Sequence, residues 1–507
     1  MTVLHLDGQS LRIRDVLAVA DGRVPVALAD DARRRMRATR AVVERAVEVG
    51  HPVYGVNTGF GKLSEVTIPG DQLAALQRNL VRSHAAGVGD ALPEREVRAM
   101  MLLRANVLAT GYAGARDSVV DALIAMLNAG VWPLVPEQGS VGASGDLAPL
   151  AHLALSLIGE GRAHIGTRQM DSASALAEVG LVPVTLAAKE GLALINGTQA
   201  HTAVASLGHA ELHRLWRVAH VATAMSLEAL LGTPDAFDAR IQTARGQEGQ
   251  RQSAALLRAL LSDSAIRESH RFGDPRVQDA YALRCVPQVH GPALEALEFA
   301  ERIIERELNA ATDNPLVMES GELLSGGNFH GQAVGMVSDF LAIISANLAV
   351  VSERRTDRLV HPDFNQGLPP FLAGSPGLES GFMMTQVTAA ALASENKGLA
   401  HPASVDSIPT DGNKEDVVPM AMRAAVKLRR SVRNLRHVLA IELIAAAEGL
   451  EHRRPLRSSA PIERAHDLVR TVVPPQSGDR SPSPDIVALG DALAAGLLDP
   501  ITDGLLP

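Results

Sequence analysis

Residues Gln332 to Ser352 read QAVGMVSDFLAIISANLAVVS, the most apolar stretch of the chain. Such a run suits either a membrane span or a helix at the centre of a bundle. Asp339 interrupts it, and the charge-free part that follows is too short for the roughly 20 residues a span needs. A helix apolar on nearly all sides is better read as the core of a large helical bundle. The neighbouring segments agree. Between Pro292 and Asn314, Leu294, Leu297, Ile303, Ile304 and Leu308 fall at roughly helical spacing, with Glu and Arg between them. Pro292 suits a first helical turn, and Asp313-Asn314-Pro315 ends the run. Met420 to Leu450 is a second long helical pattern, and Gly331, Pro362, Pro369, Pro370 and Pro402 separate further stretches. The two ends of the chain read as loops and short elements, and Val473 to Pro484 (VPPQSGDRSPSP) as a linker.

The chain has 507 residues, long enough for about three folding units and a large core. Hydrophobic residues make up 46% and charged residues 21%, which excludes wholesale disorder. A single cysteine excludes a disulfide framework and any zinc site built on several thiolates. A net charge of −9 argues against a nucleic-acid-binding body. The first residues, MTVLHLDGQSLRIRDV, lack the basic, apolar and small-residue order of a secretory signal, so a cytoplasmic protein is expected. Aromatic residues reach only 3%, and the three tyrosines are Tyr54, Tyr112 and Tyr281. So few tyrosines are a weak hint of chemical placement.

Several familiar motifs fail on spacing. In Gly55 to Leu63 (GVNTGFGKL) the first glycine is one residue too early for a phosphate loop, and Leu63 stands where a hydroxyl should hold magnesium. No H-E-x-x-H occurs, and Gly142-Ala143-Ser144-Gly145 is not a nucleophile elbow. No metal site is expected.

Glu137 to His152, EQGSVGASGDLAPLAH, is the most unusual segment. Asp146 is a candidate N-cap and Pro149 falls in the first turn of the helix that follows, so that helix's positive end lies beside Ala143-Ser144-Gly145. Read plainly, this is a tight loop entering a helix. A sharper reading is self-cyclisation. The Gly145 nitrogen can attack the Ala143 carbonyl, because small residues let the backbone bend that tightly. Loss of water from the ring and from Ser144 then leaves 4-methylidene-imidazol-5-one, an electrophile no standard side chain supplies. The helix end would stabilise negative charge formed on it.

At these residues the chain resembles the aromatic amino acid ammonia-lyases, and most closely their histidine-specific branch. GSVGASGDLAPLAH looks like the family signature. Further segments follow in family order: Tyr54–Gly61, Asn79–His84, Gly191–Thr198, Gln278–Cys285, Gly326–His330, Glu353–Arg358 and Ser404–Pro409. Together they cover nearly the whole chain.

The resemblance implies a mainly α fold, with an N-terminal region (1–205) carrying the Ala-Ser-Gly electrophile loop and a long central helical bundle with the C-terminal region (206–507). It implies removal of ammonia from an L-amino acid, leaving a trans-α,β-unsaturated acid. The amine adds to the methylidene carbon, and a base, placed by family usage at Tyr54, takes the β-proton. A phenol near its ordinary pKa of about 10 is a poor base, so positive charge or helix ends are expected to lower it. Arg284 is expected to bind the substrate carboxylate with its guanidinium fork. Asn196, Gln278 and Tyr281 resemble the polar residues around the prosthetic group and substrate. Phe329 resembles a residue packed near the electrophile, and Asp146 one that supports ring formation. Cys285 is given no role. Family members are homotetramers whose active sites draw on more than one subunit.

Two positions bear on the substrate. Ser83-His84 resembles the histidine lyases, and Glu415 stands where those enzymes carry a glutamate. A carboxylate and an imidazole can hydrogen-bond a polar ring and would be left unpaired by a phenyl ring. The expected reaction is therefore L-histidine to trans-urocanate and ammonia, in histidine catabolism. A tyrosine or phenylalanine lyase, or an aminomutase, is the alternative on the same scaffold. A serine hydrolase through Ser144, or a helical assembly protein lacking the ring, is a remoter reading. Where histidine lyases commonly read Gln-Glu-Asp-His-Val-Ser-Met, this chain reads Lys414-Glu415-Asp416-Val417-Val418-Pro419-Met420. Lys414 is placed to pair with Glu415, and Val417 removes a family histidine.

Overall fold

A computed structural model describes residues 3–505. The protein is mainly α-helical, and its chain divides into two compact units that interleave along the sequence. The first comprises Met1–Gly208, Ala300–Asp339 and Pro402–Lys427. The second comprises His209–Phe299, Phe340–His401 and Leu428–Pro507. The first crossing, after Gly208, is the one nearest the division expected at residue 205.

In the first unit, helix Glu94–Ala109 is buried on almost every face and packs against helices Ile13–Ala20 and Asp117–Asn128. Pro93 at its N-cap and Glu94 and Glu96 in its first turn suit a helix start. All strands among the described residues lie in this unit and are short. Leu4–Leu6 pairs parallel with Val26–Leu28, and Val88–Ala91 pairs antiparallel with Pro136–Gln138. Arg162–Ile165 lies between Val131–Pro133 and Arg168–Asp171, and Leu316–Val317 pairs with Leu323–Leu324. Val42, Val43, Val56, Leu73, Ala188 and Val317 form a core cluster beneath the 53–68 segment. Each buried Val or Leu contributes about 1.5–3 kcal/mol, enough to anchor an otherwise irregular loop.

The second unit holds most of four long helices: Gln199–Ala229, Val286–Leu308, Gln332–Val360 and Ala421–Glu451. Buried polar contacts tie them side by side. Arg355 grips Glu442 through Nε and Nη2 at 2.6 and 2.8 Å, and the Ser226 and Ser352 hydroxyls donate to the same carboxylate at 2.7 and 2.6 Å. Trp216 Nε1 donates to the His290 carbonyl at 2.7 Å. A paired charge inside a bundle fixes helix register more than it adds stability.

Pro292 does not open its helix. The helix begins at Val286 and carries Pro292 inside. Fully buried Val286 and His290, and the bond from Trp216, hold the turn before the proline in place despite the missing N–H. The C-terminal region is also more helical than its composition suggests, with helices Ala460–Val472 and Ser483–Ala494. The stretch between them is tied down: Asp479 accepts the Ser380 and Gly381 N–H groups at 2.7 and 2.9 Å.

Helix Gln332–Val360 is long and apolar enough to cross a membrane by length and composition, but 61% of its most apolar window is buried. Its exposed positions are Ala333, Met336, Phe340, Ile343, Asn347, Val350 and Arg354, at intervals alternating between three and four. That is the narrow stripe of a helix that packs against another helix, whereas a lipid-facing helix is apolar all round.

Candidate active site

A single cavity of about 1240 Å³ in the first unit collects most of the chemistry-bearing residues. Tyr54, His84, Ala143, Ser144, Asn196, Phe329 and Glu415 all line it.

Tyr54 stands on a loop built by side chains. Asn57 braces it, accepting the Val53 N–H at 2.8 Å and donating to the His51 carbonyl at 2.9 Å. Gly55 has φ 75°, and a Cβ there would press into Leu192 and Pro315, so glycine is required. Burial raises the Tyr54 pKa above its ordinary value; the nearby Gly61 backbone N–H opposes that rise, and the carboxylates of Asp411, Asp313 and Glu415 add to it. The expected lowering by positive charge is therefore corrected. Within one chain the surroundings of Tyr54 are apolar and acidic, and both disfavour the phenolate.

Helix Leu73–His84 buries Leu73, Gln77, Leu80 and Val81 and delivers His84 at its last turn. His84 Nδ1 lies 2.8 Å from the Leu80 carbonyl and 3.1 Å from Ser83 Oγ. A ring nitrogen facing a carbonyl is the one that donates, and the tautomer this selects has Nε2 as its acceptor nitrogen.

Ser140 to Leu147 is held at both ends. Gly142 has φ 76° with Ala421 and Pro419 against it, and its carbonyl accepts the Gly331 N–H at 3.0 Å. Gly145 has φ 69°, bridges to Gly197, and has no room for a Cβ against the Gly197 backbone. The Asp146 N–H donates to the Gly197 carbonyl at 2.7 Å. Ala143 is buried, and the Ser144 hydroxyl points outward, donating to Glu415 Oε1 at 2.6 Å. The segment is thus bent at both glycines and packed tightly against Gly197. These residues fit a ring made from Ala143, Ser144 and Gly145, since the tight bend is already present and the ring needs no further atoms.

Asp146 occupies the N-cap of helix Leu147–Leu157 but makes no side-chain cap. Its fully buried carboxylate accepts from Ser140 Oγ at 2.7 Å and the His201 N–H at 2.8 Å, and Oδ2 lies 2.8 Å from His201 Nδ1. Burial pushes its pKa up, yet His201 and these hydrogen bonds more than offset that and leave it below the usual value.

Glu415 is not paired with Lys414 among the described residues. Its carboxylate is taken by the hydroxyls of Ser144 and Thr410. Lys414 is exposed at the cavity rim, as is Val417, whose carbonyl lies 3.2 Å from His330 Nε2. Among the described residues Lys414 is the only Lys or Arg lining the cavity, which Asp411, Glu415 and Asp416 also line.

Gln278, Tyr281 and Arg284 belong to the second unit and do not line this cavity. Tyr281 is 71% exposed, with the Arg284 guanidinium 4.6 Å from its ring centre. Sequence reasoning did not single out His330 or Asp411. His330 ends the Gly326–His330 motif. Asp411 lies in a turn where Asp411, Gly412 and Asn413 all have positive φ, and its carboxylate lies where a Gly61 side chain would be. Among the described residues no three His, Cys, Asp or Glu side chains could hold a metal ion.

Comparison with known proteins gives the family. The family model for aromatic amino acid lyases matches residues 11–471. The histidine ammonia-lyase of Anaeromyxobacter sp. (strain K) is 53% identical, covering 98% of this chain and 100% of its own. The crystal structure of histidine ammonia-lyase from Trypanosoma cruzi superposes with a TM-score of 0.93 at 42% identity, over 100% of this chain and 96% of that one. Tyrosine aminomutase from Streptomyces globisporus gives 0.94 at 36% identity, over 99% and 98%.

Proposed function

The chain belongs to the aromatic amino acid lyase family, and from that premise we propose that it is a carbon–nitrogen lyase converting L-histidine to trans-urocanate and ammonia. The observation that carries the choice of substrate is that Glu415 and His84 both line the cavity that holds Ser144. A carboxylate and an imidazole nitrogen suit a polar ring that offers one N–H when neutral and two when protonated. Against a phenyl ring both would be desolvated without partners, at about 1–3 kcal/mol each.

The prosthetic group is 4-methylidene-imidazol-5-one formed from Ala143, Ser144 and Gly145, and it supplies an electrophilic carbon for the substrate amine. Around it the chain's own residues orient and move protons. Helix Leu147–Leu157 turns its positive end toward the loop. Phe329 and Leu192 supply apolar wall, and Asn196 a polar edge. Tyr54 takes the β-proton at its phenol oxygen, and its raised pKa means that turnover increases on the alkaline side.

Gln278, Tyr281 and Arg284 act in the cavity of a second copy, Arg284 binding the substrate carboxylate there. The exposure of Gln278 and Tyr281 and the exposed stripe of helix Gln332–Val360 support a homotetramer with shared sites. The enzyme acts in the cytoplasm on a small molecule, with neither nucleic acid nor membrane as partner.

Ultraviolet scans with L-histidine, L-tyrosine and L-phenylalanine, with ammonia assayed in parallel, test the reading. Urocanate from histidine supports it. Product only from another amino acid, or a β-amino acid from an aminomutase, overturns the choice of substrate.

A further inference from the structure

Behind the cavity wall lies a pair of charges that the reaction above does not use. Lys189 is fully buried, with φ 71°, immediately before helix Glu190–Ile195. Its Nζ lies 2.6 Å from Asp313 Oδ2, and neither side chain reaches solvent. A desolvated ion pair adds little net stability, which directs attention to what it holds. Asp313 Oδ1 accepts the Asn314 N–H at 2.8 Å and Asn196 Nδ2 at 3.2 Å, and the same Nδ2 donates to the Asn314 carbonyl at 3.2 Å.

Arg104, also fully buried, fixes Asn196 from the other side. Its guanidinium donates to the carbonyls of Asn196 and Ala193 and to the Gln199 side chain. Burial draws Arg104 down to about 10, which leaves it charged at neutral pH. An ionised carboxylate can only accept hydrogen bonds. Asp313 therefore faces the NH2 end of Asn196. Both amide hydrogens are used, and the carbonyl oxygen is the end left for the cavity that Asn196 lines.

We infer that the Lys189–Asp313 pair is a positioning device that orients the Asn196 carboxamide, so that an acceptor rather than a donor meets the N–H groups of the substrate. Lys189 pairs with one oxygen of Asp313, the other oxygen of Asp313 selects the amide orientation, and Asn196 makes the contact. An apolar pair of the same volume would fill the space and leave the Asn314 carbonyl alone to make that choice. The amino acid lyase reading enters only in naming the substrate.

Asp313→Asn tests the device at nearly constant volume. Lys189 then claims the one remaining carbonyl oxygen, the new amide turns its NH2 toward Asn196, and the native orientation of Asn196 is left to the Asn314 carbonyl alone. The kinetics are read on the pH-independent plateau, because Asp313 also acts on Tyr54. D313N is expected to lower kcat/KM about tenfold or more in the native background and less than about twofold in an N196A background, since residues acting through one another are not additive. Equal losses in both backgrounds would overturn the inference. The second variant, K189M/D313L, removes the charges altogether. Its crystal structure is expected to show Asn196 turned or split between rotamers, with the Ala143–Gly145 backbone unmoved. An Asn196 side chain unchanged there overturns the inference. If the native enzyme turns over none of the amino acids offered, the lyase reading falls, and this crystal structure alone decides the positioning.

Discussion

Removing the Asp146 carboxylate should unlock the segment that becomes the electrophile. Asp146 is fully buried, and its two oxygens take Ser140 Oγ, the His201 N–H and, within 2.8 Å, His201 Nδ1. Asp146→Asn keeps the shape. Its carbonyl can still serve His201, and Ser140 can turn its hydroxyl to accept, so the loss is mainly the charge, about 1–2 kcal/mol. Asp146→Ala leaves the buried His201 N–H and the half-buried Ser140 hydroxyl without an acceptor, at about 1–3 kcal/mol each, for a total of about 2–6 kcal/mol. Urea unfolding measures the cost, and intact mass reports whether the two waters of ring formation are lost. The alanine variant should be the less stable and should retain unmodified chain, with the asparagine variant between it and the native protein. The pH dependence has a fixed sign. Because the folded Asp146 pKa lies below its ordinary value, its contribution is complete above about pH 3.9 and is lost as pH falls through the lower, folded value. Asp146→Asn should flatten that acid limb. An alanine variant within about 1 kcal/mol of native, or one fully converted to the ring, would refute the reasoning.

Further outcomes follow from the same geometry. Tyr54→Phe should abolish turnover while leaving the ring, read by mass, intact. Asp411→Asn should move the acid limb of kcat/KM to lower pH, because one of the carboxylates raising the Tyr54 pKa is gone. Glu415→Gln should lower kcat/KM for histidine about 10- to 100-fold, the worth of one hydrogen bond to a charged group, with a smaller loss for phenylalanine. Mixing Tyr54→Phe and Arg284→Ala subunits, each inactive alone, should recover activity if the two residues serve one cavity from different copies. No recovery after verified subunit exchange would confine the site to a single chain.

The legible parts of the fold and the site are those with local causes. Helix Ala421–Glu451 was visible from Met420 to Leu450 because its pattern is long and periodic. The Ala143–Gly145 bend was visible because glycine and alanine restrict a loop in few ways. What escaped notice depends on distant partners. Pro292 sits inside its helix because Val286 and His290 are buried beyond it. Asp313 and Asn314 read only as a helix stop, and their partners Lys189 and Asn196 lie more than a hundred residues away. The sign of the Tyr54 shift has the same cause, since Asp411 and Glu415 come to it from the last sequence segment of the first unit. Lys414 was placed beside Glu415 by adjacency, but the hydroxyls of Ser144 and Thr410 occupy that carboxylate instead.

The most direct test of the central claim is an ultraviolet progress curve of the purified protein with L-histidine, with released ammonia measured in the same samples. The account predicts that urocanate and ammonia appear in equal amounts, and faster than any product from L-tyrosine or L-phenylalanine. No urocanate, with product forming from either of the other two amino acids, would contradict it.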